Sequence, residues 1–168
     1  MTKRKILGRG IGLFMQEKPK NVVVYLKKET KPVYISIISK EVNATYSHTF
    51  NILKKLENLN IVSFKQLGRI KLVKLTELGD EVAKTVIYLL DFLKLAEVQG
   101  ELDEIYRNEI KGKLREQMNK NSISKHFGKL RVKLEDLSEN KPLNIVISAK
   151  KVQKKIDEFS TEVYGYPK

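Results

Sequence analysis

The clearest pattern of hydrophobic and polar positions lies between residues 45 and 59. Apolar or small side chains recur there at helical spacing and predict one buried stripe: Thr49, Ile52, Leu53, Leu56 and Leu59. At about 100° per residue, the opposite face carries polar side chains: Ser47, Asn51, Lys54 and Asn58. Thr45 is placed to cap this helix through its hydroxyl group. The stretch therefore predicts an amphipathic helix with a polar, partly cationic outer face.

The residues before this helix predict two further helices and a short strand. Pro19 suits the first turn of a helix that ends near Thr30. Val33, Tyr34 and Ile35 are typical of a short strand. A second helix is predicted from Ile37 to about Val42, with its first two isoleucines, Ile37 and Ile38, facing inward.

The residues after it predict a β-hairpin and a long helix. Two β-rich runs within 61–75 flank a loop that contains Gly68. Thr76 is expected to cap a helix that reaches about Leu95 and is apolar on more than one face. Two helices joined by a tight turn and followed by such a hairpin form the order of a winged helix-turn-helix.

The second half predicts further helices and one strand. A helix with a weak point at Gly112 is followed by a second helix with a heptad-like seam: Ile123, Phe127, Leu130, Leu134 and Leu137. Residues 143–148 alternate like a strand, and a last amphipathic helix follows Ser148. Because a lone strand needs a partner, residues 11–15 are expected to be extended and to pair with it, in this or another subunit.

The expected fold is therefore mainly α with a small β-hairpin wing, an α+β arrangement. Residues 1–16 are predicted to form a basic arm and extended segment, in which Lys3, Arg4 and Lys5 could follow phosphates. Residues 17–95 form the winged helix-turn-helix domain. Residues 96–168 form a helical dimerisation or interaction extension with one short strand.

The net charge of +13 is concentrated in the first half of the chain. Residues 1–94 hold 18 Lys and Arg against 8 Asp and Glu, whereas residues 95–168 hold 15 against 12. The hairpin region 61–75 holds four cations and no acid. Such a field favours a polyanionic partner through steering and counterion release. Surface lysines that only maintain solubility are the alternative, and the asymmetry argues against it.

Composition argues against several other classes of protein. The absence of cysteine excludes disulfides, thiol catalysis and Cys-ligated metal sites, and two histidines leave little for a His-based site. No catalytic motif or metal-ligand spacing is present, so we expect neither an enzyme nor a cofactor. No stretch resembles a membrane span or a secretory signal, which predicts a cytoplasmic, nucleoid-associated protein. Abundant Lys and Ile without Cys or Trp are typical of thermophiles.

Two motifs resemble the winged-helix domain of MarR-type and related archaeal regulators. These are NATYSHTFNILKKLENLNIVSF, followed by the basic hairpin, and LTELGDEVA at the start of the next helix. The resemblance covers residues of about 20–95. It implies that the DNA-facing positions are Thr45, Tyr46, Ser47, Asn51 and the wing residues 65–71. The chain departs from the family in its short wing and in Phe50, which occupies a position that is usually polar.

The basic face thus predicts binding to double-stranded DNA, and the resemblance implies a dimeric, sequence-specific transcription regulator. Helix 45–59 would read the major groove and the wing 61–75 would contact the flanking backbone. The candidate DNA-binding residues are Thr45, Tyr46, Ser47, Asn51, Lys54, Lys55, Lys65, Gln66, Arg69 and Lys71. The alternative is an architectural or protein-interaction module, in which Tyr46 and Phe50 would make a protein contact. No effector ligand and no operator can be named from the sequence.

Overall fold

A computed structural model describes residues 10–68, 70–139 and 141–165 of the chain. The protein is mainly helical with a small antiparallel sheet of three strands. It divides into two compact units, Met1–Ile87 and Tyr88–Lys168. Within the described ranges, no helix is both long enough and apolar enough to cross a membrane.

The first unit contains the sheet and most of the predicted short elements. In chain order they are α1 (Glu17–Lys28), β1 (Val33–Tyr34), α2 (Ile35–Glu41), α3 (Tyr46–Asn58), β2 (Val62–Leu67) and β3 (Ile70–Leu75). The long helix α4 (Glu77–Ile105) begins in this unit. Strand β3 is central, with β1 and β2 antiparallel on either side. The hairpin predicted within residues 61–75 is confirmed as strands β2 and β3.

The core of the first unit is built from the apolar stripes of these elements. Its fully buried side chains include Val22, Val23, Ile38, Leu53, Leu56 and Val73. The stripe predicted on α3 is confirmed, because Thr49, Ile52, Leu53 and Leu56 are buried and Leu59 packs partly buried against the same core. Asn60 follows α3 with a φ of 58°, the left-handed conformation expected where this helix ends.

Helix α2 begins earlier than the sequence predicted. It starts at Ile35, whose side chain is only 2% exposed, and Ile38 is fully buried. Ile37, which was expected to face inward, is 41% exposed, so that prediction was wrong. Residues three apart share a helix face, so Ile35 and Ile38 take the buried positions and Ile37 points away.

The extended segment predicted at residues 11–15 was also wrong, because residues 10–14 are helical. Leu13 is buried in the first core and Phe14 packs against it. The glycines in this segment weaken a helix, but helices in proteins are stabilised mainly by packing of an apolar face. The cations predicted to form the arm, Lys3, Arg4 and Lys5, lie outside the described residues.

Helix α4 does not end near Leu95 but continues to Ile105 and into a π-helical turn, Tyr106–Ile110. Gly112 has a φ of 74°, so the chain turns there through a conformation that favours glycine. A short 3-10 turn, Arg115–Gln117, follows. The helix predicted with a weak point at Gly112 is therefore interrupted at that glycine.

The second unit is completed by α5 (Lys120–Glu135) and α6 (Leu143–Tyr164). All five residues of the heptad-like seam are buried, in a core that also holds Leu102, Ile110, Ile145 and Ile156. The strand predicted at residues 143–148 was wrong, since these residues begin α6. Ile145, Ala149 and Val152 are all buried, and their spacing of four and three residues places them on one helix face.

Ion pairs join the elements of the second unit. Lys133 contacts Glu101 at 2.6 Å, Lys141 contacts Asp91 at 2.9 Å and Arg131 contacts Asp157 at 3.0 Å. The Asp91 side chain is 4% exposed, so its charge is matched by Lys141 inside the fold. His126 Nδ1 lies 2.9 Å from Glu109. Arg131, Lys133 and Lys141 are thus each compensated by a carboxylate within this unit.

Candidate nucleic-acid interface

The turn before α3 fixes the start of that helix. Asn43 has a φ of 49°, and the Ala44 N–H donates to the Ser39 carbonyl oxygen at 2.9 Å. Thr45 then caps α3, because its hydroxyl oxygen accepts a hydrogen bond from the His48 N–H at 3.2 Å. The capping role predicted for Thr45 is confirmed. His48 contributes to this cap through its backbone.

Burial of one face of α3 leaves its opposite face exposed. Six of the predicted site residues lie on this side or at the capping turn, and all are exposed: Thr45, Tyr46, Ser47, Asn51, Lys54 and Lys55. Tyr46 is 55% exposed and is thus available to a partner. Lys54 also contacts Glu57 at 2.8 Å, a pair on the helix surface that is half open to water. Surface pairs of this kind contribute little energy, so Glu57 does little to hold Lys54 away from a phosphate.

The register of the hairpin separates its side chains into two faces. Phe64 lies opposite Val73, Gln66 opposite Lys71 and Leu67 opposite Ile70. Alternation along each strand puts Phe64, Gln66, Val73 and Lys71 on one face. The predicted site residues Lys65, Gln66 and Lys71 are exposed, and Gln66 Nε2 donates to the Gly68 carbonyl oxygen at 3.2 Å. The predicted Arg69 lies outside the described residues.

An aromatic cluster connects α3 to the hairpin. The rings of Phe50 and Phe64 have centroids 6.3 Å apart and are tilted by 49°. Lys54 Nζ lies 5.9 Å from the centroid of Phe50 and 5.1 Å from that of Phe64. Lys71 Nζ lies 5.6 Å from the Phe50 centroid. These are cation–π distances, so two ammonium groups from different elements share one aromatic platform.

This cluster explains the unusual residue at position 50. Phe50 is partly buried and packs against the first core and Phe64. Phe64 was not among the predicted site residues. The spacing of Phe50 and Lys54 by four residues on a helix was a local signal for their contact. The contribution of Phe64 depends on how β2 packs against α3, which has no local signature.

The LTELG motif, Leu75–Gly79, positions the start of α4. The Thr76 hydroxyl donates to the Asn60 carbonyl oxygen at 2.6 Å and accepts from the Gly79 N–H at 2.9 Å, which confirms Thr76 as the cap of α4. A Cβ atom on Gly79 would lie 1.8 Å from the backbone oxygen of Ile61. The motif therefore fixes the start of α4 against the start of β2, which positions the hairpin.

A charge network that does not include the aromatic cluster joins α4 to α1. Asp80 contacts Lys27 at 2.5 Å and Lys84 at 3.0 Å. Hydrogen bonds from Lys27 and then Lys84 hold the pKa of Asp80 below its ordinary value. Hydrogen bonds to Glu81 and then Asp80 raise the pKa of Lys84. In the described part of the chain, no three His, Asp or Glu side chains come together in a way that could hold a metal ion.

Comparison with known proteins gives relatives for part of the chain. No protein-family model matches. Over 87 residues the chain is 29% identical to an uncharacterised protein of Archaeoglobus fulgidus, across 50% of this chain and 92% of that protein. It is similar to an Archaeoglobus fulgidus crystal structure with a TM-score of 0.46 and 29% identity, over 49% of this chain and 94% of that one. It is also similar to Lactococcus lactis ZitR, with a TM-score of 0.43 and 19% identity, over 79% of this chain and 97% of that one.

Proposed function

We propose that this protein binds double-stranded DNA as a winged helix-turn-helix, with α3 in the major groove and the β2–β3 hairpin as a wing on the flanking backbone. The observation that carries the proposal is the shared aromatic platform of Phe50 and Phe64. It brings Lys54 of α3 and Lys71 of β3 to one basic surface. Cations that moved independently on the helix and on the hairpin would not define a docking geometry. Cations restrained over the same aromatic rings do.

The exposed face of α3 supplies the chemistry for reading bases. The amide of Asn51 can make a bidentate pair with adenine, and Ser47 can donate to or accept from a base edge. Lys54, Lys55 and the hairpin lysines would neutralise phosphates, which fixes position but carries no sequence information. Because Phe50 is packed against Phe64, it does not serve as a base reader in this proposal.

We further propose that the protein acts as a homodimeric transcription regulator on the chromosome. Two copies related by a two-fold axis would place their α3 helices in successive major grooves, about 34 Å apart. This arrangement would supply the specificity that one small reading surface lacks. An architectural DNA-binding role uses the same basic surface but needs no preferred site.

One experiment separates these roles. A preferred duplex is selected from a random-sequence pool, and its Kd is compared with that of a scrambled duplex at several salt concentrations. A regulator should prefer the selected duplex by about a thousandfold or more. A salt-dependent Kd with little preference would favour the architectural role, and no salt-dependent binding would exclude both.

Matched variants test the assignment of Asn51. Asn51→Ala should reduce the preference by about tenfold to a hundredfold, because one base contact is worth about 1–3 kcal/mol. Asn58→Ala removes the same side chain from the same face, two turns further from the N-terminus of α3, and should leave the preference unchanged. Equal effects of the two substitutions would contradict the proposed orientation of α3.

A further inference from the structure

The hairpin ends in two exposed aliphatic side chains that the proposed function does not use. Leu67 is 57% exposed and Ile70 is 46% exposed. They lie directly opposite each other and form the last pair before the turn. Gly68 in that turn has a φ of 61°, a conformation that allows a tight connection. The described hairpin therefore presents an apolar pair at a narrow end.

This pair lies on the face of the hairpin away from the aromatic cluster. Side chains alternate along a strand, so Leu67 shares a face with Lys65 and not with Phe64. Ile70 correspondingly shares a face with Leu72 and Lys74. In the part of the chain that the structure describes, Leu67 and Ile70 belong to neither hydrophobic core. Packing within the fold therefore does not account for them.

The charges around the pair identify the kind of partner. Residues 61–75 contain four Lys and Arg and no Asp or Glu. Among the described ion pairs, none involves Lys65, Lys71 or Lys74. A symmetric contact with the hairpin of a second copy would bring these positive charges together and would be repelled. Duplex DNA offers both features that the tip needs, phosphates for the lysines and an apolar base stack beneath them.

We propose that Leu67 and Ile70 form an apolar wedge that enters the minor groove, opens one base step and bends the duplex. The inference rests on the proposed DNA binding. The axes of paired strands lie about 4.8 Å apart, so a hairpin with its side chains is wider than a minor groove of about 6 Å and its tip enters only where the groove widens. Inserted aliphatic side chains widen it by unstacking a step, and such wedges bend DNA by about 20–90°.

The test measures bending and binding on the same molecules. The probes are short duplexes with dyes at both ends, one with central TpA steps and one with a stiff A-tract in the same place. Pyrimidine–purine steps unstack more easily than A-tracts. The wild-type protein should shorten the end-to-end distance of the TpA duplex, measured by energy transfer between the two dyes. It should shorten that of the A-tract duplex less.

Three variants isolate the wedge. The Leu67→Ser/Ile70→Ser double variant should lose the bend and about tenfold in affinity while keeping its salt dependence, because apolar burial is lost but no phosphate contact is. The Leu67→Met/Ile70→Met variant should keep the bend. Leu143→Ser removes a leucine that is 74% exposed at the start of α6, and it should change neither quantity.

The outcomes separate the wedge from the proposed function. Salt-dependent binding by a wild-type protein that leaves the TpA duplex straight would overturn the wedge and leave DNA binding intact. A double serine variant that bends the duplex like the wild type would also overturn it. No binding to either duplex at low salt would overturn DNA binding, and with it the wedge. Circular dichroism establishes that each variant remains folded.

Discussion

The helix contacts of the second unit and the α3–hairpin contact of the first unit hold their lysines in different ways. In the second unit, Lys133 and Lys141 lie within 3.0 Å of the carboxylates of Glu101 and Asp91. At the α3–hairpin contact, Lys54 and Lys71 lie over aromatic rings, and Lys54 also makes the surface pair with Glu57. A carboxylate holds an ammonium group by cancelling its charge, whereas a ring holds it and leaves the net charge unchanged.

This difference shows how one residue type can serve two purposes in one chain. Lysines paired with acids link helices, and their field at a distance is small. Lysines placed on rings are restrained but still attract a polyanion. The uneven net charge of the sequence agrees with this division. A count of lysines therefore says less about nucleic-acid binding than a list of what each ammonium group contacts.

The largest effect is expected from a substitution in the contact that positions the hairpin, and with it the platform lysines of the first unit. Gly79→Ala places a Cβ atom 1.8 Å from the Ile61 oxygen, so the start of α4 or β2 must shift. We expect a loss of about 3 kcal/mol or more in the free energy of unfolding of the first unit. Chemical denaturation followed by circular dichroism measures it.

The matched control for that substitution lies in the second unit. A Cβ atom on Gly128 of α5 would meet nothing within 4 Å in the described structure. Gly128→Ala should therefore stabilise the protein by about 0.5–1 kcal/mol through helix propensity. If the two alanine variants had similar stabilities, the close contact at Gly79 would not be important.

The next effect concerns DNA affinity. Removing both platform lysines with Lys54→Ala/Lys71→Ala should lower the slope of log K against log salt by about 2, because each lost phosphate contact contributes about 0.9. Lys133→Ala, which removes a lysine paired with Glu101, should leave the slope unchanged. Titrations by fluorescence anisotropy at several salt concentrations provide both slopes. Equal slopes for all three proteins would show that Lys54 and Lys71 do not contact phosphates.

A smaller effect tests the aromatic platform itself. Phe50→Leu should cost about 1–2 kcal/mol of stability and weaken DNA binding several-fold, since Lys54 and Lys71 lose a ring. The control is Phe159→Leu in the second unit, where Phe159 stacks on Tyr106 with centroids 4.2 Å apart. It should cost similar stability without changing the DNA affinity. Equal loss of affinity in both variants would indicate a general effect of stability.

The smallest effect is a pH dependence in the first unit. Because the pKa of Asp80 is lowered in the folded state by hydrogen bonds from Lys27 and Lys84, its stabilising contribution is present above its ordinary pKa. That contribution is lost as the pH falls through the lowered value. Asp80→Asn should thus lower the melting temperature slightly at neutral pH and reduce its decline in acid. Thermal scans between neutral and acidic pH measure both melting temperatures. A parallel decline of the melting temperatures of the wild type and the variant would contradict this prediction.

Elements with a strong local pattern were predictable from the sequence. The stripe and cap of α3, the hairpin and the cap of α4 all follow from residues within a few positions of one another. Residues 143–148 show the limit of such patterns. A short apolar run alternates like a strand, and only its packing with Ala149 and Val152 shows that it begins a helix.

The candidate site was predictable only in part for the same reason. Exposure of Ser47, Asn51 and Lys54 follows from helix periodicity. The platform that restrains Lys54 requires Phe64, which comes from another element and is brought near by tertiary packing. The helical segment at residues 10–14 similarly depends on burial of Leu13, which outweighs the local glycines.

The hairpin register also limits how this protein can change its length over evolutionary time. A one-residue insertion between Phe64 and Leu67 would exchange the two faces of β2 beyond it, since side chains alternate with a period of two. Gln66 would leave the side of α3, and Leu67 would turn toward it. Insertions of two residues, or changes confined to the turn, preserve both faces. Among homologues, strand lengths here should differ in steps of two, while the turn is free to vary by one.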